Sequence, residues 1–113
     1  MKAICIKSEA VMYHYGVLNG IGLIKADLKN GFLRAPYSET ESEAITYIEK
    51  SAIAGGLHCR RDLAGNLIAE TPGPYSEWVD TGSHLHTVPG GGNFAGAAGS
   101  LAALAGRRAI HRP

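Results

Sequence analysis

Thr81-Gly-Ser-His-Leu-His-Thr-Val-Pro-Gly-Gly-Gly-Asn-Phe-Ala-Gly-Ala-Ala-Gly99 is the stretch on which the reading of this 113-residue chain turns. It opens at the end of an expected strand, Glu77 to Ser83, whose weak alternation suits burial on both faces. Two histidines follow at spacing i, i+2, then Pro89 and three glycines. The small-residue run from Gly96 to Gly106 reads as a helix with hardly a polar atom. A strand end holds an imidazole rigidly while a loose loop leaves an ion reachable, so His84 and His86 are the candidate metal ligands. His84 also suits a plain structural role, hydrogen-bonded to backbone near a turn.

Working outward, the clearest helix lies upstream. Ser38 is an N-cap candidate and Glu41, three residues later, completes a capping box. Ala44, Ile45, Ile48 and Ala52 recur at helical spacing, and Gly55-Gly56 ends the pattern. Glu39, Glu41 and Glu43 fall in the first turns, where negative charge favours the helix dipole, and are read as capping and solubility. Leu57–Asp62 and Asn66–Glu70 read as short strands around the turn Leu63-Ala64-Gly65. Helix, hairpin, central strand, glycine loop and helix make an α/β arrangement. Earlier residues are less decisive: Ala10 to Ile24 suits either a glycine-weakened helix or a hairpin turning at Asn19-Gly20. Asn30-Gly31 is a further turn signal.

Composition removes several function classes. Lys plus Arg (11) nearly cancel Asp plus Glu (10), so nothing marks a nucleic-acid or acidic-membrane surface. Hydrophobic residues make up 45%, but 16 of them are alanine, which limits the core to a modest one. Val11 to Ile24 is interrupted by glycines and is shorter than the ~20 residues of a membrane span. Cys5 and Cys59 form no disulfide framework or metal knuckle, and a reduced, cytoplasmic setting is expected. Gly90-Gly91-Gly92 lacks the following Lys-Ser/Thr of a phosphate loop. Arg34 reads as a surface arginine, and Arg107, Arg108 and Arg112 as a solvated basic end.

The glycine-loop stretch resembles the metal-binding segment of zinc-dependent amidohydrolases that include N-carbamoyl-L-amino acid hydrolase and allantoate amidohydrolase, a hydantoinase-carbamoylase branch of the M20 peptidase-like group. Those enzymes read Gly-Ser-His-Leu-Asp-Thr-Val-Pro, glycines, then Phe-Asp-Gly-Ala. Asn30-Gly-Phe-Leu-Arg-Ala-Pro-Tyr-Ser38, Ala54-Gly-Gly-Leu57 and Asp62-Leu-Ala-Gly-Asn66-Leu67 extend the resemblance over roughly residues 28–106. It leaves residues 1–27 unassigned and 107–113 as a basic tail. The fold it implies is the N-terminal portion of a zinc-exopeptidase-like α/β/α domain.

The resemblance implies Zn²⁺ or Mn²⁺ at His84, with His86 a weaker ligand. His86 stands where the family has an aspartate orienting the ligating imidazole, and Ala95 where it has the carboxylate bridging two metals. A methyl group donates nothing, so a two-metal site is not expected. The family's adjacent glutamates and later histidines have no counterpart before Pro113, and no catalytic residue is assigned. The expectation is a fragment or truncated member of a hydrolase family acting on linear carbamoyl or ureido C–N bonds, inactive alone. The competing expectation is a non-catalytic remnant or small binding module. Expected partners are a small carbamoyl or ureido substrate, implied by the family only, and a second copy or a complementing hydrolase fragment. Neither nucleic acid nor membrane is expected. An apolar face around Leu101 and Leu104 is expected to lie uncovered.

Overall fold

The structure is a computed structural model that describes residues 5–24, 28–94 and 96–110. Helix α1 spans Ser8–Leu18, α2 Glu39–Ala54 and α3 Ala97–Ile110; strands β1 (His58–Arg61) and β2 (Leu67–Glu70) complete a small mixed α/β fold.

The open choice at the start resolves as a helix. Asn19 N–H donates to Tyr15 O and Gly20 N–H to Val17 O, so Asn19-Gly20 ends α1 rather than turning a hairpin. One face of α1 buries His14, Tyr15 and Leu18 at helical spacing.

In α2, the Ser38 hydroxyl accepts the Glu41 N–H at 3.2 Å, as the cap signal predicts. The glutamate half of the box is shifted by one residue: its carboxylate takes the N–H of Tyr37, which sits at φ 60. At the far end Gly56, not Gly55, takes the left-handed conformation (φ 83). Leu57 N–H donates to Ala52 O at 3.0 Å and Gly56 N–H to Ile53 O at 2.9 Å, a Schellman closure. Ala44, Ile48 and Ala52 face the core.

The hairpin is antiparallel, pairing His58 with Glu70 and Arg61 with Leu67. Its turn is held by Asp62, whose carboxylate accepts from the Ala64 and Asn66 N–H groups at 2.9 Å each. These bonds, the Asn66 side chain first, hold the Asp62 carboxyl below its ordinary pKa.

The expected third strand, Glu77–Ser83, is absent. Residues 72–84 are exposed throughout, and the described residues form a two-stranded sheet only. A strand exists through its partner ladder, and no described segment offers this one a ladder. Extended pairing occurs instead around Phe32, which bridges Leu23 on one side and Gly91 on the other. Phe32 N–H donates to Gly91 O at 2.8 Å and Leu33 N–H to Gly22 O at 2.7 Å.

The core is formed by Tyr15, Leu18, Ile21, Ala44, Ile48, Leu85, Ala97 and Leu101, with Ala52, Leu57 and Leu104 beside it. Leu101 and Leu104 are therefore covered, contrary to expectation, because α1 and α2 supply the opposing surface. Fully burying Leu18 and Leu101 contributes about 1.5–3 kcal/mol each. The helix α3 also runs past Gly106, so Arg107 and Arg108 are no solvated tail. Arg107 donates to Gly55 O at 3.0 Å and Arg108 to Ser51 O at 3.1 Å, capping the carbonyl end of α2. Arg112 lies outside the described residues. No helix among the described residues is long and apolar enough to cross a membrane.

Candidate metal centre

Residues 82–87 run past the start of α3, and small residues there let the two approach. A Cβ at Gly96 would enter the ring of His84, and one at Gly99 would stand 2.6 Å from the Ser83 Cβ. The Ser100 hydroxyl lies 3.0 Å from Ser83 O and 3.3 Å from His84 O, holding the segment against the helix. Gly96 thus leaves room for the His84 ring, and Gly99 for Ser83.

His84 Nδ1 lies 3.0 Å from the carbonyl oxygen of His86. A carbonyl only accepts, so Nδ1 carries the proton and Nε2 keeps the free lone pair. The residue is exposed, and Nε2 takes no part in that bond. His84 thus shows the expected structural role, a histidine hydrogen-bonded to backbone near a turn. Its ring stacks on that of His86, centroids 4.1 Å apart and 26° from coplanar. Both rings do lie on one side of the chain, but stacked rings direct their nitrogens side by side rather than toward a shared point.

His86 is half-buried, with Nδ1 3.5 Å from the Glu41 carboxylate. Sequence reasoning took Glu41 for a cap alone. The same side chain in fact joins the α2 start to the histidine segment, 45 positions apart in the chain and without local signal. Among the described residues no three His, Cys, Asp or Glu side chains gather where they could hold an ion. Ala95, where the resemblance leads one to expect a bridging carboxylate, lies outside the described residues. The described donor set near this segment is one imidazole with a second stacked beside it.

Arg34 is the residue that sequence reasoning misplaced most. It is fully buried, not a surface side chain. Its Nε donates to Leu85 O at 2.9 Å, Nη1 to Ile21 O at 3.0 Å and Leu18 O at 3.3 Å, and Nη2 to Asn93 Oδ1 at 2.9 Å. Four oxygens thus offset the cost of taking the charge out of water, which still pulls its pKa down. The backbone of Arg34 accepts the Thr87 N–H at 2.9 Å and donates to Thr87 Oγ1 at 3.0 Å. Phe32 lies under the guanidinium, 5.1 Å from its ring centre. No charge pattern in the sequence distinguishes Arg34 from a surface arginine; only the folded chain brings these oxygens together.

No family model matches the chain, and neither does any solved structure. Among curated proteins it is similar to an N-carbamoyl-L-amino-acid amidohydrolase of Pseudomonas sp. (strain NS671), 33% identical over 106 residues, covering 92% of this chain and 25% of the relative. An allantoate amidohydrolase of Escherichia coli (strain K12) is 40% identical over 80 residues, covering 69% of this chain and 20% of the relative. A ureidoglycolate hydrolase of Arabidopsis thaliana is 32% identical over 73 residues, 63% of this chain and 15% of the relative. The chain is a distant, partial homologue of these hydrolases and spans a quarter or less of their length.

Proposed function

We propose that the chain corresponds to the histidine-bearing leading portion of a metal-dependent amidohydrolase of the M20 peptidase-like group, acting on linear carbamoyl or ureido C–N bonds. The observation that carries this reading is the 40% identity over 80 residues to an allantoate amidohydrolase. The name of the Pseudomonas relative points to the same bond type. The tautomer of His84 agrees with it, since a free Nε2 is what a Zn²⁺ or Mn²⁺ ligand requires.

In this reading His84 is the primary ligand and His86 a weak second, supported by Glu41. One ion is held loosely; a pair is not, because Ala95 brings no carboxylate between two dications. In this reading the chain by itself does not turn over substrate, because it holds one loose ion rather than a pair. Zinc titration of the purified chain against His84→Ala tests the ligand. A saturable isotherm lost in the variant supports it, whereas identical isotherms remove His84 from the site. Incubation with an N-carbamoyl-L-amino acid and with allantoate should give no hydrolysis. Turnover that disappears in His84→Ala would overturn the inactive reading.

A further inference from the structure

We infer that Arg34 is the positioning residue that sets the His84–His86 pair in its stacked, outward-facing geometry. The inference rests on the metal-site reading above, but its structural half can be tested without any metal.

The histidine segment is not held by a sheet. Residues 72–84 are exposed, and the carbonyl of Leu85, the residue between the two imidazoles, is held by Arg34 Nε at 2.9 Å. Holding that carbonyl inward, with the Leu85 side chain buried beneath, leaves residues 84 and 86 to emerge together on the opposite side. Two residues on, the backbone of Arg34 pairs with Thr87 in both directions, through its O to the Thr87 N–H and its N–H to Thr87 Oγ1. Thr87 Oγ1 in turn donates to Phe32 O at 3.2 Å, so residues 85–87 follow the 32–34 segment.

The guanidinium then ties this arrangement to two other parts of the fold. Nη1 reaches the carbonyl of Leu18, the last residue of α1, and that of Ile21 just beyond it. Nη2 reaches Asn93 in the glycine loop, whose amide donates to Asn19 Oδ1 at 2.6 Å. A planar fork with five donors on three nitrogens serves all four oxygens; a lysine ammonium, with three donors on one nitrogen, cannot serve four.

The test compares wild type, Arg34→Lys and Thr87→Val in the 113-residue chain by NMR and by zinc titration. Wild type should show a ring-to-ring contact between His84 and His86. Arg34→Lys should keep the Leu18–Leu101 core contacts and helical content, lose the ring contact, and bind zinc about tenfold more weakly or worse. Should Arg34→Lys fail to fold, Thr87→Val decides: it removes one hydroxyl and should weaken the ring contact at unchanged helical content. A ring contact that survives at full strength in whichever variant is folded overturns the inference. If wild type binds no zinc, the metal reading fails while the ring contact still judges the role of Arg34.

Discussion

Two glycines of α3 give the sharpest test of where the histidine segment sits. Replacing a helical glycine by alanine gains roughly 0.5–1 kcal/mol through the backbone alone. At Gly106 the added Cβ would find only Ile6 Cδ1, at 3.9 Å, an ordinary contact. Gly106→Ala should therefore keep the whole gain. At Gly99 the Cβ would stand 2.6 Å from Ser83 Cβ and 3.0 Å from its Oγ. Carbon atoms settle at about 3.5–4.0 Å, so the 82–84 segment must retreat by about 1 Å. Overpacking of this kind costs about 1–3 kcal/mol and outweighs the helical gain. The net is a loss of about 1–2 kcal/mol in Gly99→Ala, and a gap of about 2–3 kcal/mol between the variants. For a chain of this size that gap corresponds to roughly 10 °C in melting temperature. Thermal melts followed by helical circular dichroism measure it directly. If the two variants melt within about 2 °C of each other, the segment is not pressed against α3 and the seat described for His84 is wrong.

Ser38→Ala removes the hydroxyl that accepts the Glu41 N–H and should lower stability by about 1 kcal/mol in urea denaturation. Gly31→Ala forces a side chain into φ 70 against the Gly90 carbonyl and, at 2.8 Å, Gly91 O; a loss of about 2 kcal/mol or more is expected by the same assay. Burial first, and Arg108 second, hold the pKa of His14 below its ordinary 6.5. The unfolded chain then takes the proton more readily, so this contribution is complete above 6.5 and declines as pH falls through 6.5 toward the folded value. Urea midpoints should drop across that window in wild type and drop less in His14→Gln; equal drops would exonerate His14. Asp62, with its pKa held down mainly by Asn66, acts only at more acid pH, below its ordinary 3.8, and does not confuse the comparison. Gly99→Ala and Arg34→Lys loosen the two ends of one short segment, at Ser83 and Leu85, so their combined cost should fall short of the sum by more than about 0.5 kcal/mol; strict additivity would show two independent sites.

What the sequence disclosed and what it hid divide along one physical line. The α2 boundaries were legible because the cap at Ser38 and the closure at Gly56 are made by residues within five positions of each other. The hairpin was legible for the same reason, its turn being closed by Asp62 on Ala64 and Asn66. Residues 77–83 have strand-like composition, yet a strand needs a partner and composition does not supply one. Arg34 was misread because its oxygen partners lie 13 to 59 positions away. His84 falls between these cases. Its bond to nearby backbone is local and could be expected from the sequence, while the stacking on His86 and the approach of Glu41 depend on the tertiary arrangement.

That arrangement bears on how much the histidine at position 86 matters. In the proposed reading, position 86 is where an aspartate would orient the ligating imidazole, so a histidine there would be expected to free the ring. Here the ring keeps a fixed tautomer, because Nδ1 finds the backbone carbonyl of residue 86 itself, whatever side chain that residue carries. Orientation is therefore maintained by the main chain, which Arg34 holds through Leu85. What a carbonyl does not supply is the negative charge that raises the basicity of a ligand. Glu41 has that charge, but it faces His86 and not His84. In the proposed metal reading His84 is thus oriented but electronically unassisted, and weak binding of one cation is the outcome to expect there.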